Sequence, residues 1–205
     1  MAKFKKIIKK NSEKLLIETF IKLFIKLASK KEKLKKRFSF VLTGGESPIN
    51  LYKELSKADV NWKNIDFFWG DERFVSKKSK NSNYNLANKY LLKKINIRSK
   101  QIFNVDTNNK NVSISAFKYE KKIKNYFKYK KKFFDLTLLG MGNDGHIASI
   151  FSNNLFGNSD KLVKCVLRND FARVTLSLKF INNSRNIFLW LNDKKKNQNI
   201  QKFKI

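Results

Sequence analysis

The run Phe133-Phe134-Asp135-Leu136-Thr137-Leu138-Leu139-Gly140 decides the fold class of this chain. Its apolar residues do not alternate strictly with polar ones, as they would in a strand with one wet face, and a glycine ends the run. It reads as a strand buried on both faces. Upstream, Val112 to Tyr129 carries Ile114, Phe117, Ile123 and Phe127 at helical spacing, and Ile102 to Val105 is a short strand candidate. Before these come a helix over Asn83 to Lys93, through Leu86, Ala87, Tyr90 and Leu91, and a second apolar strand, Ile65-Asp66-Phe67-Phe68-Trp69. Earlier still, Phe38 to Thr43 is a strand ended by Gly44-Gly45, after which Ser47-Pro48 opens a helix reaching about Leu55. Proline suits a first helical turn because its missing N–H has no partner there anyway.

Downstream, Val163 to Leu167, Val174 to Leu178 and Ile187 to Leu191 add late strands, separated from the first run by a loop-like stretch from Asn153 to Asp160. Strands that alternate with helices and are apolar throughout predict an α/β protein with a mostly parallel sheet and helices on both faces. No repeat or linker divides the 205 residues, so one domain over 1–205 is expected, with a polar, frayed tail at 194–205.

The N-terminal region from Met1 to Arg37 is basic and contains the run Leu15 to Ala28. Glu18, Lys22 and Lys26 recur on one helical face, leaving an apolar stripe rather than a membrane-spanning cylinder. The stripe reads as a surface helix laid on a core. No secretory or membrane signal is seen, and one cysteine excludes an internal disulfide framework, so a cytoplasmic protein with no membrane partner is expected. Cys165, in an apolar strand, reads as a core residue.

The composition carries 46 Lys+Arg against 16 Asp+Glu, a formal charge of +30. Such a field favours anionic partners, whether phosphorylated metabolites, nucleic acid or acidic lipid. Only six of the basic residues are arginine, the residue suited to bidentate phosphate and base contacts, and the lysines are spread along the chain. That distribution reads as compositional drift, with no specific nucleic-acid partner expected. The 41% hydrophobic content excludes a disordered polycation.

In open α/β sheets the ligand sits beyond the carboxyl ends of the strands. Three segments follow strands directly: Thr43-Gly44-Gly45-Glu46-Ser47-Pro48, Gly70-Asp71-Glu72-Arg73, and Gly140-Met141-Gly142-Asn143-Asp144-Gly145-His146. They are expected to meet in one crevice. The first places two glycines before a helix, where free N–H groups and the helix dipole favour an anion, although an ordinary tight turn has the same composition. The second is a charge cluster that either faces solvent or projects into the crevice.

The third contains Gly140-x-Gly142-x-x-Gly145, the literal dinucleotide fingerprint, with Asp170 as a candidate ribose acid. It stands too close to the end of the chain for a unit that usually opens a domain, so it is read as a coincidence of spacing. His146, the only histidine, has Asp144 two residues before it. An imidazole ordinarily exchanges its proton at about pH 6.5, which suits a general base, while a structural histidine capping a following helix is the plainer alternative. No G-x-S-x-G elbow, Walker lysine or metal-ligand spacing is present, so neither an acyl-enzyme nor a metal mechanism is suggested.

Together these segments resemble the 6-phosphogluconolactonase family, part of a wider group that includes glucosamine-6-phosphate deaminases. Thr43 to Pro48 with Leu51-Tyr52 is similar to the family's S-G-G-S-T-P and L-Y pattern, and Trp62, Phe68 and Asp71-Glu72-Arg73 to its W, F and D-E-R segment. Ser82-Asn83 and Leu91-Leu92 resemble the S-N and L-L that follow, and Arg173-Val174-Thr175-Leu176 the later R-I-T-L. Phe134 to Phe151 is similar to F-D-L-x-L-L-G-M-G-x-D-G-H-x-A-S-L-F, the most specific stretch. The deaminases carry D-E-Y in place of Asp71-Glu72-Arg73 and F-N-E-P after D-G-H-I-A, where this chain has Ser149-Ile150-Phe151.

The resemblance implies a Rossmann-like fold and a monomeric cytoplasmic enzyme that hydrolyses 6-phospho-D-glucono-1,5-lactone in the oxidative pentose phosphate pathway. It implies no metal and no organic cofactor. His146 is then the general base and Asp144 its orienter or a sugar-hydroxyl ligand. Gly44, Gly45 and Ser47 hold the phosphate with Arg73 and Arg173, while Asp71, Ser82, Asn83, Gly142 and Gly145 complete the substrate site. Backbone N–H groups from Gly142 to Gly145 are expected to face the oxyanion. Glu46 and Ser152 depart from the family's small hydroxyl residue and proline, and the family's final helix is not legible in the tail. The alternatives are a degenerate member that binds RNA or another polyanion, and a deaminase-like enzyme.

Overall fold

The computed structural model describes residues 8, 10–128, 134–151 and 160–191. Five strands, β1 (Phe38–Leu42), β2 (Ile65–Trp69), β4 (Ile102–Phe103), β5 (Leu136–Gly140) and β8 (Ile187–Trp190), form one parallel sheet in the order β4-β2-β1-β5-β8. The chain fills one half of the sheet from β1 outward, then crosses back to β5 and fills the other. The strand order therefore reverses between β1 and β5, the place where such sheets open a crevice. Both strands end there in glycine-bearing loops.

The central strands are buried on both sides, which explains why their sequences are apolar almost throughout. Phe38, Phe40 and Leu42 of β1 face one core with α1 (Glu13–Lys33) and α2 (Ile49–Leu55), while Val41 faces a second with α4 (Val112–Phe127). α1 begins at Ser12, whose hydroxyl accepts from Leu15 N, and it buries Ile17, Phe20, Phe24 and Ala28. The stripe read from the sequence thus lies on the core, as expected. Among the described residues no helix is long and apolar enough to cross a membrane.

The second core is closed by a small antiparallel sheet, β3 (Asp71–Arg73), β7 (Arg173–Leu176) and β6 (Val163–Val166), in the order β3-β7-β6. This corrects the sequence reading in two places. Asp71-Glu72-Arg73 is not a solvated or projecting loop but a strand, and of the two late strands over 163–176, β7 pairs with it and β6 with β7, so neither joins the parallel sheet. Gly70 makes the transfer: its N–H still donates to Leu42 O at 3.0 Å, while its carbonyl already accepts from Leu176 N at 2.8 Å. A further correction concerns Leu178, which begins a short helix, α5 (Leu178–Asn182), capped by Ser177, instead of ending a strand.

Asn83 to Lys93 is helical only as far as Tyr90 in α3 (Asn83–Tyr90), followed by a 3₁₀ turn at Leu92–Lys94. Phe133, Ser152, most of the Asn153 to Asp160 stretch and the 194–205 tail lie outside the described residues.

Candidate active site

Two tyrosines hold the ends of the central strands. The Tyr52 hydroxyl accepts from Thr43 N (3.0 Å) and donates to Thr43 O (2.7 Å), and Tyr119 does the same for Trp69 at 2.9 Å each way. Both phenols are pushed above their ordinary range by burial, so they stay neutral donors. Thr43 is thereby fixed just before the glycines. Gly45 adopts φ +78°, which a β-carbon would strain, and Glu46 beside it faces solvent. The Ser47 carbonyl accepts from Trp190 Nε1 at 3.1 Å, tying the loop to β8.

Across the switch point, Gly140 N donates to Thr43 Oγ1 at 3.0 Å, so the β1 and β5 loops are in contact. Beyond Gly140 the chain folds back, pairing Met141 with Ile147. Gly142 N donates to His146 O at 2.9 Å, Gly145 N donates to Gly142 O at 3.1 Å, and Gly145 takes φ +88°. These N–H groups are occupied inside the turn. Of the N–H groups from Gly142 to Gly145 expected to face an oxyanion, those of the two glycines are thus engaged in shaping the turn. Nor does a helix open over 141–151, so the Gly140-x-Gly142-x-x-Gly145 spacing lacks the helix N-terminus on which a pyrophosphate would rest.

The purpose of Gly142 is visible in the packing above it. A β-carbon there would lie 2.2 Å from His146 Cε1 and 2.8 Å from Asp144 Oδ1. The imidazole lies over the bare glycine, with Nδ1 at 2.5 Å from Asp144 Oδ1. Burial alone would raise Asp144, but the hydrogen bond and charge of His146 outweigh it and hold the carboxyl below its ordinary value. Its side chain is 57% exposed and that of His146 25%. A neutral imidazole beside that carboxylate keeps its proton on Nδ1, leaving Nε2 as the acceptor.

The imidazole also meets Phe151, ring centroids 4.5 Å apart. The same phenyl ring carries the Arg168 guanidinium at 4.0 Å and that of Arg173 at 5.7 Å. Arg173 also donates to Asp170, the acid considered for a ribose, and pairs across the small sheet with Arg73. Directly opposed residues in an antiparallel pair share a face, so both arginines leave the small sheet on the same side. Arg73 donates to Asn81 O at 2.8 Å, yet Arg73 Nε and Arg173 Nε are buried without a hydrogen-bond partner.

The remaining candidates are part of the frame. Asp71 accepts from Ser149 Oγ (2.7 Å) and from Asn83 Nδ2 (3.1 Å), and the Asn83 amide lies where a side chain on Gly44 would be, 1.8 Å from such a β-carbon. Ser82 caps α3 through Asn85 N at 3.1 Å. Glu72, which the sequence reading passed over, accepts from Ser82 Oγ, Arg73 N, Asn83 N and Tyr84 N. Burial pushes its carboxyl up to about 7 against the pull of those backbone donors. No local signal marks it, because it caps a helix ten residues further along the chain. Phe151 and Arg168 were missed too; an aromatic in an apolar run reads as core. Among the described residues no three His, Cys, Asp or Glu side chains gather to hold a metal ion.

The sequence pattern of the family described as glucosamine-6-phosphate isomerases/6-phosphogluconolactonase matches residues 11–204. The chain belongs to that family. A 6-phosphogluconolactonase of Thermotoga maritima is 35% identical over 177 residues, covering 83% of this chain and 78% of that protein. One from Nostoc sp. is also 35% identical, over 150 residues, and there the match spans 71% of this chain but only 62% of the relative. Among solved structures, a 6-phosphogluconolactonase of Thermotoga maritima superposes with a TM-score of 0.82 at 31% identity, covering 91% of this chain and 84% of the other. That of Trypanosoma cruzi gives 0.84 at 29% identity, covering 96% and 83%. The Rossmann-like, mostly parallel architecture expected from the sequence is that of these family members.

Proposed function

We propose that this family member hydrolyses 6-phospho-D-glucono-1,5-lactone to 6-phospho-D-gluconate, a step of the oxidative pentose phosphate pathway, in the cytoplasm. The observation that carries the reading is the His146–Asp144 couple, set over Gly142 at the β1/β5 switch point beside the Gly44-Gly45 loop. A δ-lactone is an activated ester, so one oriented water and one base suffice. Nε2 of His146 takes a proton from that water as its oxygen bonds to the lactone carbonyl carbon. The tetrahedral intermediate then collapses, the bond from that carbon to the ring oxygen breaks, and the imidazolium returns the proton to the leaving oxygen. Asp144 holds the ring and stabilises its charged form in between.

The phosphate end is assigned to the Gly44-Gly45 loop and Ser47, with Arg73 and Arg173 supplying charge-assisted contacts through guanidinium groups that still have unpaired N–H donors. The test measures hydrolysis of freshly made 6-phosphogluconolactone, corrected for spontaneous opening, by the wild type and His146→Ala. The substitution is expected to lower kcat by about 10²–10⁴-fold while the fold is kept. Glucosamine 6-phosphate serves as the control for deamination. A folded wild type with no activity on the phosphorylated lactone would sink the reading.

A further inference from the structure

Asp71 occupies an unusual place for a residue expected to touch substrate. Its side chain lies on the face of the small sheet that also carries Arg73, Arg173 and Thr175, and it is almost fully buried. One carboxylate oxygen accepts from Ser149 Oγ at 2.7 Å and the other from Asn83 Nδ2 at 3.1 Å; its main-chain carbonyl accepts from Asn83 Nδ2 as well, at 2.9 Å. These two partners belong to the two halves of the site.

Toward the glycine loop, Asn83 has no slack. Its amide fills the space over Gly44, and its backbone N–H is fixed by Glu72 Oε1 at 2.8 Å. Toward the base, Ser149 stands three residues after His146. The intervening Ile147 pairs with both Met141 and Ile150, and Ala148 takes the left-handed φ of +49°, so the link is a tight turn. Ser149 N is itself held by Thr175 Oγ1 at 3.2 Å. A shift of Ser149 is therefore passed to His146, and a shift of Asn83 to Gly44.

Resting on the lactonase reading above, we infer that Asp71 is a positioning residue that sets the distance between the glycine loop and His146. It thereby tunes the enzyme to lactones whose phosphate lies one fixed reach from the carbonyl. A substrate held at both ends needs that distance to be right, because small misplacements of reacting groups are expensive in rate. A lactone without a phosphate engages the His146 half alone and does not feel the spacing.

The test compares Asp71→Ala, Ser149→Ala and Asp71→Asn with the wild type as full chains. Asp71→Ala and Ser149→Ala are expected to lower kcat/KM for 6-phosphogluconolactone by about 10- to 100-fold, while kcat/KM for glucono-1,5-lactone stays within about twofold. Asp71→Asn is expected to recover most of the loss: its Oδ1 accepts from Asn83 and its amide donates to Ser149 Oγ, a hydroxyl that accepts as readily as it donates. Binding gives a second readout without turnover. The alanine variants should lose affinity for 6-phosphogluconate, which spans both halves, but keep that for inorganic phosphate.

Equal losses on both lactones, or no loss on either, would overturn the inference; so would equal losses for 6-phosphogluconate and phosphate. Should Asp71→Ala fail to fold, Ser149→Ala decides, since it removes one arm with little change of volume. A wild type inactive on the phosphorylated lactone and unable to bind phosphate removes the lactonase reading itself, and the inference with it. A wild type that does both, with an Asp71→Ala variant showing no preference in its losses, removes the inference alone.

Discussion

The two ends of the parallel sheet treat charge in opposite ways. At the amino end, Asp66 and Asp135 are buried and each faces a cation. Arg37 forks its Nε and one terminal nitrogen onto Asp66, which also accepts from the Tyr126 hydroxyl at 2.7 Å. Asp135 accepts from Ser39 N and Ser39 Oγ, both at 3.1 Å, and pairs with Lys31 and Arg185. At the carboxyl end, Arg73 and Arg173 keep an unpaired Nε each, and Asp144 is more than half exposed with His146 as its partner. Buried charge left without its full set of partners costs stability. The chain pairs its buried carboxylates with cations at one end of its strands and leaves two guanidinium Nε atoms without partners at the other. Tyr126, whose phenol is pushed far up by burial and by Asp66, belongs to the amino end.

This contrast can be broken by experiment. The largest effect is expected from Gly142→Ala. Its β-carbon displaces the imidazole, so activity should fall as far as when the base is removed, about 10²–10⁴-fold, with near-wild-type circular dichroism. An active Gly142→Ala would mean that His146 has room the packing denies it. Next comes Asp144→Asn. Loss of the ionised partner should cost activity about 100-fold, short of the roughly 10⁴-fold seen for a buried orienting carboxylate, because water already screens Asp144. Steady-state kinetics alone decide this.

At the amino end the expectation inverts. Arg37→Ala leaves Asp66 buried with Tyr126 as its partner, and should lower the stability to urea by about 2 kcal/mol, less than for a fully buried pair because Arg37 is half-exposed. Its kcat/KM per folded molecule should match the wild type; a lowered value would erase the division between the two ends.

Glu72 sharpens the comparison, since it is a partnered carboxyl at the carboxyl end. Burial raises its carboxyl from an ordinary 4.5 to about 7, so between those values the folded chain holds more protons than the unfolded one. Its contribution to stability is therefore greatest at low pH and declines as pH rises from about 4.5 to about 7. Glu72→Gln should flatten that slope, which thermal melts at about pH 5 and about pH 8 will show. An unchanged slope would place the titration elsewhere.

Several features are legible in the sequence alone. The apolar runs at Phe38, Ile65 and Leu136 read as buried strands because a sheet covered on both faces demands them, and the α1 stripe read as a packed surface. The small sheet did not. Asp71-Glu72-Arg73 offers three charges where strand reading looks for apolar alternation, and its pairing with Arg173 to Thr175 joins residues about a hundred apart. The apolar stretch from Val174 to Ile181 likewise hid a strand followed by a helix, because short apolar runs have no decisive period. At the site, the His146–Asp144 pair and the glycine loops were readable from spacing, while the N–H groups of Gly142 and Gly145 proved to be occupied within their own turn.

The sequence by itself determined the alternation of strands and helices, the glycines at the strand ends and the lone histidine with a carboxylate two residues away. All of these are local: they follow from period, turn chemistry and neighbours along the chain. Only the tertiary structure decided that Asn83 fills the space over Gly44, that Asp71 joins Asn83 to Ser149, and that Phe151 touches His146 and two arginines. Such contacts depend on where strands of distant sequence come to rest. Hydrogen bonds across them have no signature in the order of residues, because their partners become neighbours only once the core has formed.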